Sequence, residues 1–141
     1  MLFRSVVTGT GFIHVEPGEV GEWTFFTNTD DGARLRINGA DVVVDGALQP
    51  PTDSAYVVYN FPAAGDYPVE SIGCENGGGE SFEILVKQGN SAAAKGAGDP
   101  TGAVLLGAAG GLTVSSVPEP GTASLAFLGL AGLVGLRRRR A

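Results

Sequence analysis

Two adjacent aspartates, in the stretch Asp30-Asp31-Gly32, form the strongest candidate for a binding site in this chain. Successive side chains of an extended strand point to opposite faces, so neighbouring carboxylates do not ordinarily meet at one ion. A cis peptide bond between them would bring both carboxylates to one side, although such bonds are rare when the second residue is not proline. The alternative is a polar turn in which an aspartate caps its own backbone. The residues alone leave both interpretations open.

Residues typical of catalysis are few. His14 is the single histidine and lies in a predicted strand, so no Ser-His-Asp or Cys-His arrangement can form without it. Cys74, the single cysteine, excludes an intramolecular disulfide and metal sites built from several cysteines, and we interpret it as a small buried hydrophobic residue. We interpret the carboxylates of the later strands as a solvated face and not as a glycosidase pair: Glu70, Glu75, Glu80 and Glu83. We therefore expect that the protein is not an enzyme.

The charge of the chain is distributed unevenly. The 141 residues carry a formal net charge of −6, yet four of the nine basic residues form the terminal cluster Arg137–Arg140. The remainder is strongly acidic and offers no basic face for nucleic-acid phosphates, which argues against nucleic acid as a partner.

The first ninety residues have the pattern of an all-β domain. Turn residues such as Pro17-Gly18 and Pro50-Pro51 separate short apolar stretches, and no helical period precedes residue 120. Several short strands with regular turns predict a sandwich or a barrel, with Trp23, Tyr56 and Tyr59 in the core. The predicted strands are Gly11–Val15, Val20–Asn28, Ala33–Asn38, Ala40–Asp45, Tyr56–Phe61, Tyr67–Cys74 and Ser81–Lys87.

One hairpin can be predicted in register. Asn38-Gly39 lies between two alternating segments, which is the strongest short-range signal for a two-residue type I′ turn. This turn pairs Arg36 with Asp41 on the solvent face, where opposite charges stabilise the pair. The same register pairs Leu35 with Val42 and Ala33 with Val44 and places all four on the buried face.

The later segments are less regular. Ser81–Lys87 alternates with Phe82, Ile84 and Val86 inward, but Tyr67–Cys74 changes parity midway, which indicates either a bulge or a strand covered on both faces. The Gly, Ala and Ser composition of residues 89–116 predicts a flexible linker. The stretch AVLLGAAGGLTV within it could also form a late strand, which its glycines disfavour.

The stretches FFTNTDDGARLRINGADVVVD, DYPVE and ENGGGESFEILV, in this order, resemble the later part of a protective-antigen-type (PA-fourteen) β-sandwich. The resemblance covers about Val7 to Lys87 and implies an antiparallel sandwich over residues 1–88 whose opening strands are missing. Sugar-binding members of that family join adjacent aspartates by a cis bond and hold calcium with an asparagine from a later loop. The matching positions are Asp30, Asp31 and Asn76, and hard oxygen ligands of this kind suit Ca²⁺.

The C-terminus, residues 117–141, combines a Val117-Pro118-Glu119-Pro120 motif, an uncharged run over residues 123–136 and a cluster of four arginines. The arginines are Arg137, Arg138, Arg139 and Arg140. As a helix the run would reach ~21 Å, against ~30 Å for a bilayer core, so it spans poorly without its arginines at one end. The three parts in this order resemble the PEP-CTERM sorting signal of bacterial envelope proteins. The resemblance implies export, a short hydrophobic membrane helix with all four arginines in the cytoplasm, and processing by an exosortase near the Pro-Glu-Pro sequence.

The N-terminal stretch lacks the apolar core of a secretory signal, because His14 and Glu16 interrupt it. We therefore expect an export signal and the opening strands upstream of Met1. The sequence as a whole predicts a bacterial cell-envelope protein that binds a polysaccharide or glycoprotein glycan without catalysis. The alternative is a structural surface or extracellular-matrix protein with no small-molecule ligand.

Overall fold

The computed structural model describes residues 5–98 and 100–116, which are almost entirely β. A short 3-10 turn, Pro17–Glu19, joins the first two strands. The strands are β1 (Ser5–Val15), β2 (Gly21–Asp30), β3 (Gly32–Ile37), β4 (Ala40–Asp45), β5 (Thr52–Asp53), β6 (Val57–Phe61), β7 (Gly65–Glu75), β8 (Ser81–Gln88), β9 (Val104–Leu105) and β10 (Thr113–Ser116).

The predictions for the C-terminus fall outside the described residues. These are the sorting motif at 117–120, the hydrophobic helix over residues 123–136 and the cytoplasmic placement of the terminal arginines. The four arginines concerned are Arg137, Arg138, Arg139 and Arg140. Their topology therefore stays a prediction.

The strands form two antiparallel sheets. The first sheet has the order β10-β1-β7-β3-β4, and the second has the order β5-β2-β8-β9 with β6 also pairing with β2. Fully buried side chains from both sheets meet between them, among them Leu35 of the first sheet and Phe25 of the second. Trp23 and Tyr56 are also buried. The predicted all-β antiparallel sandwich is confirmed.

The hairpin of β3 and β4 has the predicted turn. Asn38 and Gly39 both have positive φ angles, 51° and 78°, as a type I′ turn requires. Arg36 lies opposite Asp41 as predicted. Arg34 adds a second contact, since its Nε and Nη2 donate to the two Asp41 carboxylate oxygens at 2.8 and 2.9 Å. The solvent face of the hairpin therefore carries a small network of oppositely charged side chains.

The predicted register is wrong beyond Arg36, because a β-bulge intervenes there. Leu35 pairs with Val43 and not with Val42, and Ala33 pairs with Asp45 and not with Val44. An extra residue in one strand reverses which face the following side chains occupy. Val44 is consequently 67% exposed, whereas Asp45 is buried at 8% exposure. The bulge thus turns a carboxylate toward the interior.

Strand β7 follows neither of the two interpretations of its irregular sequence. It pairs without interruption with β1, from Gly65 opposite Val15 to Glu75 opposite Ser5, so there is no bulge. Its odd-numbered residues face inward along the whole strand, and the even-numbered ones are exposed. The expectation that Cys74 is buried is therefore wrong, since its side chain lies on the exposed face.

Residues 89–116 pack on the sandwich more closely than a flexible linker would. β9 pairs with β8, and β10 pairs with β1 over Gly11–His14. Leu112, just before β10, is fully buried in the core. The prediction of a linker is wrong for residues 104–116, because short strands and one apolar side chain hold this segment in spite of its glycines.

Candidate metal-binding site

The candidate site begins where β2 ends. The Asp30-Asp31 peptide bond is cis, the arrangement that would bring adjacent carboxylates to one side. The backbone N–H of Asp31 donates to the Cys74 carbonyl at 3.0 Å, which fixes the bond against the end of β7. The two aspartates therefore lie at the junction of the two sheets.

Asp31 is held by two distant loops. Its side chain is buried, at 6% exposure. Oδ1 accepts from the backbone N–H of Gln49 at 2.9 Å, and Oδ2 accepts from the backbone N–H of Asn76 at 2.8 Å. Because a carboxylate oxygen offers two lone pairs, each oxygen keeps one acceptor position for a cation. The Asp31 carboxylate thus connects the loops of Gln49 and Asn76 and still has acceptor positions free.

A third carboxylate, Glu75, joins the two aspartates. One carboxylate oxygen from each of Asp30, Asp31 and Glu75 lies within 4.8 Å of the others. Glu75 is the last residue of β7 and is buried. The interpretation of Glu75 as part of a solvated face is wrong, whereas Glu70, Glu80 and Glu83 are exposed. The alternation of Tyr67 and Val69 in β7, continued for three more inward positions, was the signal that could have identified Glu75.

The cluster concentrates negative charge. Burial raises the pKa of Asp30 above its ordinary value, and the nearby charges of Glu75 and Asp31 raise it further. Among residues 5–98 and 100–116, no ion pair includes any of the three carboxylates. Three clustered carboxylates without a cationic side chain have the oxygen donors that could hold a hard divalent cation such as Ca²⁺.

Asn76, the ligand that the resemblance assigns, follows Glu75 directly. Its backbone N–H donates to Asp31 Oδ2, and the residue is half-buried. Gly77 and Gly78 come next, with φ angles of 137° and 126° that residues with a side chain rarely adopt. The glycines therefore allow the tight backbone turn by which the Gly77 N–H reaches Glu75 Oε1.

A hydrogen-bonded network of Gln49, Asp45 and Lys95 adjoins Asp31. Gln49 Nε2 donates to the Asp31 carbonyl at 3.1 Å and to Asp45 Oδ2 at 3.2 Å. Lys95 Nζ lies 2.7 Å from Asp45 Oδ1. Burial by itself would raise the pKa of Asp45, but the hydrogen bonds from Lys95 and Gln49 outweigh it and hold the pKa below the ordinary value. The bulge in β4 is what places Asp45 in this network.

A cleft of about 190 Å³ opens beside the carboxylates. Its lining includes the carboxylates of Asp30, Glu75 and Glu80 and the apolar side chains of Val7 and Phe82. Glycine at position 73 is required here, because a Cβ there would lie 2.7 Å from the Phe82 ring. The cleft therefore combines oxygen ligands with an aromatic ring, which is a suitable surface for a polar molecule with one apolar face.

His14 lies apart from this cluster. Its Nδ1 is 2.6 Å from Asp66 Oδ1 and its Nε2 is 3.1 Å from Glu16 Oε1, so carboxylates contact both ring nitrogens. The hydrogen bond to Asp66 raises the pKa of His14, and the charges of Asp66 and Glu16 add to it. A histidine that serves as a general base needs a nitrogen near a hydroxyl or thiol nucleophile. The observed contacts indicate a surface ion-pair role.

The comparison with known families identifies the C-terminus. Residues 116–140 match the PEP-CTERM protein-sorting motif. The motif indicates an exported cell-envelope protein and implies recognition by an exosortase. Across the described residues, no helix has the length and apolarity needed to cross a membrane.

Two solved structures have a similar fold. The crystal structure of the PA14 domain of MpAFP antifreeze protein matches with a TM-score of 0.57 and 19% identity, over 62% of this chain and 45% of that one. An anti-sigma factor domain-containing protein matches with a TM-score of 0.54 and 20% identity, over 60% of this chain and 29% of that one. This chain thus spans less than half of either structure. Among curated proteins, none matches its sequence significantly. The chain therefore combines a partial PA14-like β-sandwich with a PEP-CTERM motif.

Proposed function

We propose that this protein is a noncatalytic, calcium-dependent glycan-binding module of the bacterial cell envelope. The observation that carries the proposal is the cis-linked pair Asp30 and Asp31, whose carboxylates lie close together beside an open cleft. The oxygen-only donor set of the two aspartates fits Ca²⁺.

Calcium bound by these residues would offer open coordination positions at the wall of the cleft. Sugar hydroxyls are suitable further ligands for such an ion, because calcium accepts six to eight oxygens and the protein supplies only part of them. Phe82 also lines the cleft, and an apolar sugar face can pack on its ring. From the charge of Asp30 and Asp31 alone, we expect an affinity for calcium of about 10⁻⁴–10⁻³ M.

Glycan binding should require calcium. We expect the full chain, purified in mild detergent, to give signals on a glycan array in millimolar CaCl₂ and to lose them in chelator. Phe82→Ala should weaken these signals without changing calcium affinity, because Phe82 lies in the cleft and is not a candidate ligand. As a matched control, Tyr59→Ala truncates an aromatic ring that packs on Phe25, away from the cleft.

A structural role without a small-molecule ligand is the second candidate function. The two hydrogen bonds that the Asp31 carboxylate accepts from backbone N–H groups favour this structural role. They are sufficient to explain a fixed turn between β2 and β3. An array without any calcium-dependent signal, on protein that binds calcium, would support this second function and contradict the first.

We also propose that residues 123–136 anchor the chain in the membrane before processing, with the arginines at 137, 138, 139 and 140 in the cytoplasm. The prolines at 118 and 120 disfavour helix and keep the motif extended, as a protease needs. Behind a secretory signal peptide, in a host with a matching exosortase, the exported protein should lose residues 123–141, as measured by intact mass.

The same host without its exosortase provides the control and should retain the complete C-terminus. Complete C-termini in both hosts would contradict processing and leave residues 123–136 as an ordinary anchor.

A further inference from the structure

Glu75 is a buried carboxylate, and only one of its two oxygens accepts a hydrogen bond within the described residues. It is 8% exposed, and its Oε1 accepts from the backbone N–H of Gly77. Within the described part of the chain, Oε2 has no hydrogen-bond partner, although it is buried from solvent. A buried charged oxygen without a partner lowers stability, so its presence in a folded protein calls for an ion or a water molecule.

Three positive side chains of the sandwich are committed elsewhere. Arg34 and Arg36 pair with Asp41 and Glu70 on the solvent face of the first sheet, and Lys95 pairs with Asp45. The carboxylates of Asp30 and Asp31 lie close to Glu75 and repel it. Without an added cation the three carboxylates are mutually unfavourable.

We propose that Glu75 is a direct ligand of the bound cation, through Oε2, and completes a three-carboxylate site with Asp30 and Asp31. This inference rests on the proposed calcium-dependent function and adds a residue to it. It differs from the resemblance, in which the third ligand beside Asp30 and Asp31 is the asparagine that follows, Asn76. The backbone N–H of Asn76 holds Asp31, so that residue shapes the site even where its side chain supplies no ligand.

A third carboxylate has two consequences. The affinity for calcium should exceed that of a site with two charges, because calcium affinity rises with the number of charged ligands. The metal-free protein should be less stable than the same protein with a neutral side chain at position 75, because the repulsion is then removed. If Glu75 served only the fold, a neutral side chain at position 75 would instead lower the stability of the metal-free protein.

Glu75→Gln tests both consequences in the full chain. In isothermal titration with CaCl₂, we expect the dissociation constant to rise about tenfold or more. In chelator, the melting temperature of the variant should be a few degrees higher than that of the wild type. The glutamine Oε1 can still accept from Gly77, and its Nε2 can donate to the neighbouring aspartates.

Glu83→Gln is the matched control, since Glu83 is exposed on β8 and its replacement removes the same charge outside the cluster. It should leave both quantities unchanged. Equal calcium affinity of Glu75→Gln and the wild type would overturn the role of Glu75 while leaving the proposed function intact. Lower stability of Glu75→Gln in chelator, or its failure to fold, would assign Glu75 to the fold and overturn the inference. A wild type that binds no calcium would overturn both proposals.

Discussion

Replacing Asp31 with alanine is expected to abolish the calcium response of the protein and to destabilise it by about 2–4 kcal/mol. The variant removes a candidate metal ligand together with the acceptor of two backbone N–H groups, those of Gln49 and Asn76. Each of these partly buried amides that loses its acceptor costs about 1–3 kcal/mol, and relief of the repulsion among the carboxylates offsets part of this. Urea unfolding in chelator and in millimolar CaCl₂ measures both effects.

The reason for the lost response is mass action. A cation that binds only the folded state raises the stability of the wild type in proportion to the logarithm of its concentration, and a chain without the site gains nothing. Asp41→Ala is the control, because it removes an exposed carboxylate paired with Arg34 and should cost less than about 1 kcal/mol. If Asp31→Ala kept the calcium response of the wild type, Asp30-Asp31-Gly32 would be only a turn.

Asp31 and Glu75 therefore have different expected signatures, although both are buried carboxylates of one cluster. Both oxygens of Asp31 accept hydrogen bonds, so its loss should be harmful even without metal. Glu75 Oε2 has no hydrogen-bond partner among residues 5–98 and 100–116, so neutralising Glu75 should be harmful only when metal is present. Measured side by side in chelator, the two substitutions should change the melting temperature in opposite directions.

The adjacent aspartates could be identified from the sequence because their spacing is local. Glu75 could not be identified so directly, because it lies 44 positions beyond Asp31 and meets the pair only through the pairing of β3 with β7. Its inward direction depends on β7 keeping one parity to its end, and Ile72 and Cys74 suggested a change of parity. Because these two exposed residues are apolar, the sequence did not indicate that Glu75 is the third carboxylate of the cluster.

The hairpin shows the same division between local and distant causes. Asn38-Gly39 fixes its own turn and the first two residue pairs, because the backbone conformation at those positions is a local property. The bulge that follows was not predictable from the alternation of the strand. It turns Asp45 toward Lys95, which lies 50 positions away, and that contact stabilises the reversed register.

The composition of the segment after β8 also led to a wrong prediction, that of a flexible linker. Its glycines and alanines are typical of flexible linkers, and composition cannot show whether a single leucine reaches a core. Leu112 does reach it, packed in the same core cluster as Ile13 and Val86. One buried side chain and two short strands are enough to add residues 104–116 to the sandwich.

Leu112→Ala should consequently destabilise the protein by about 2–5 kcal/mol, because it leaves a cavity in a close-packed core. For a domain of this size, that corresponds to a fall in melting temperature of roughly 10 °C or more. Leu105→Ala removes the same atoms from β9, where the leucine is 46% exposed, and should cost much less. Thermal unfolding of the two variants beside the wild type makes the comparison. Equal melting temperatures of Leu112→Ala and the wild type would indicate that residues 104–116 are part of the linker after all. Only a side chain outside the core can be truncated without a loss of stability.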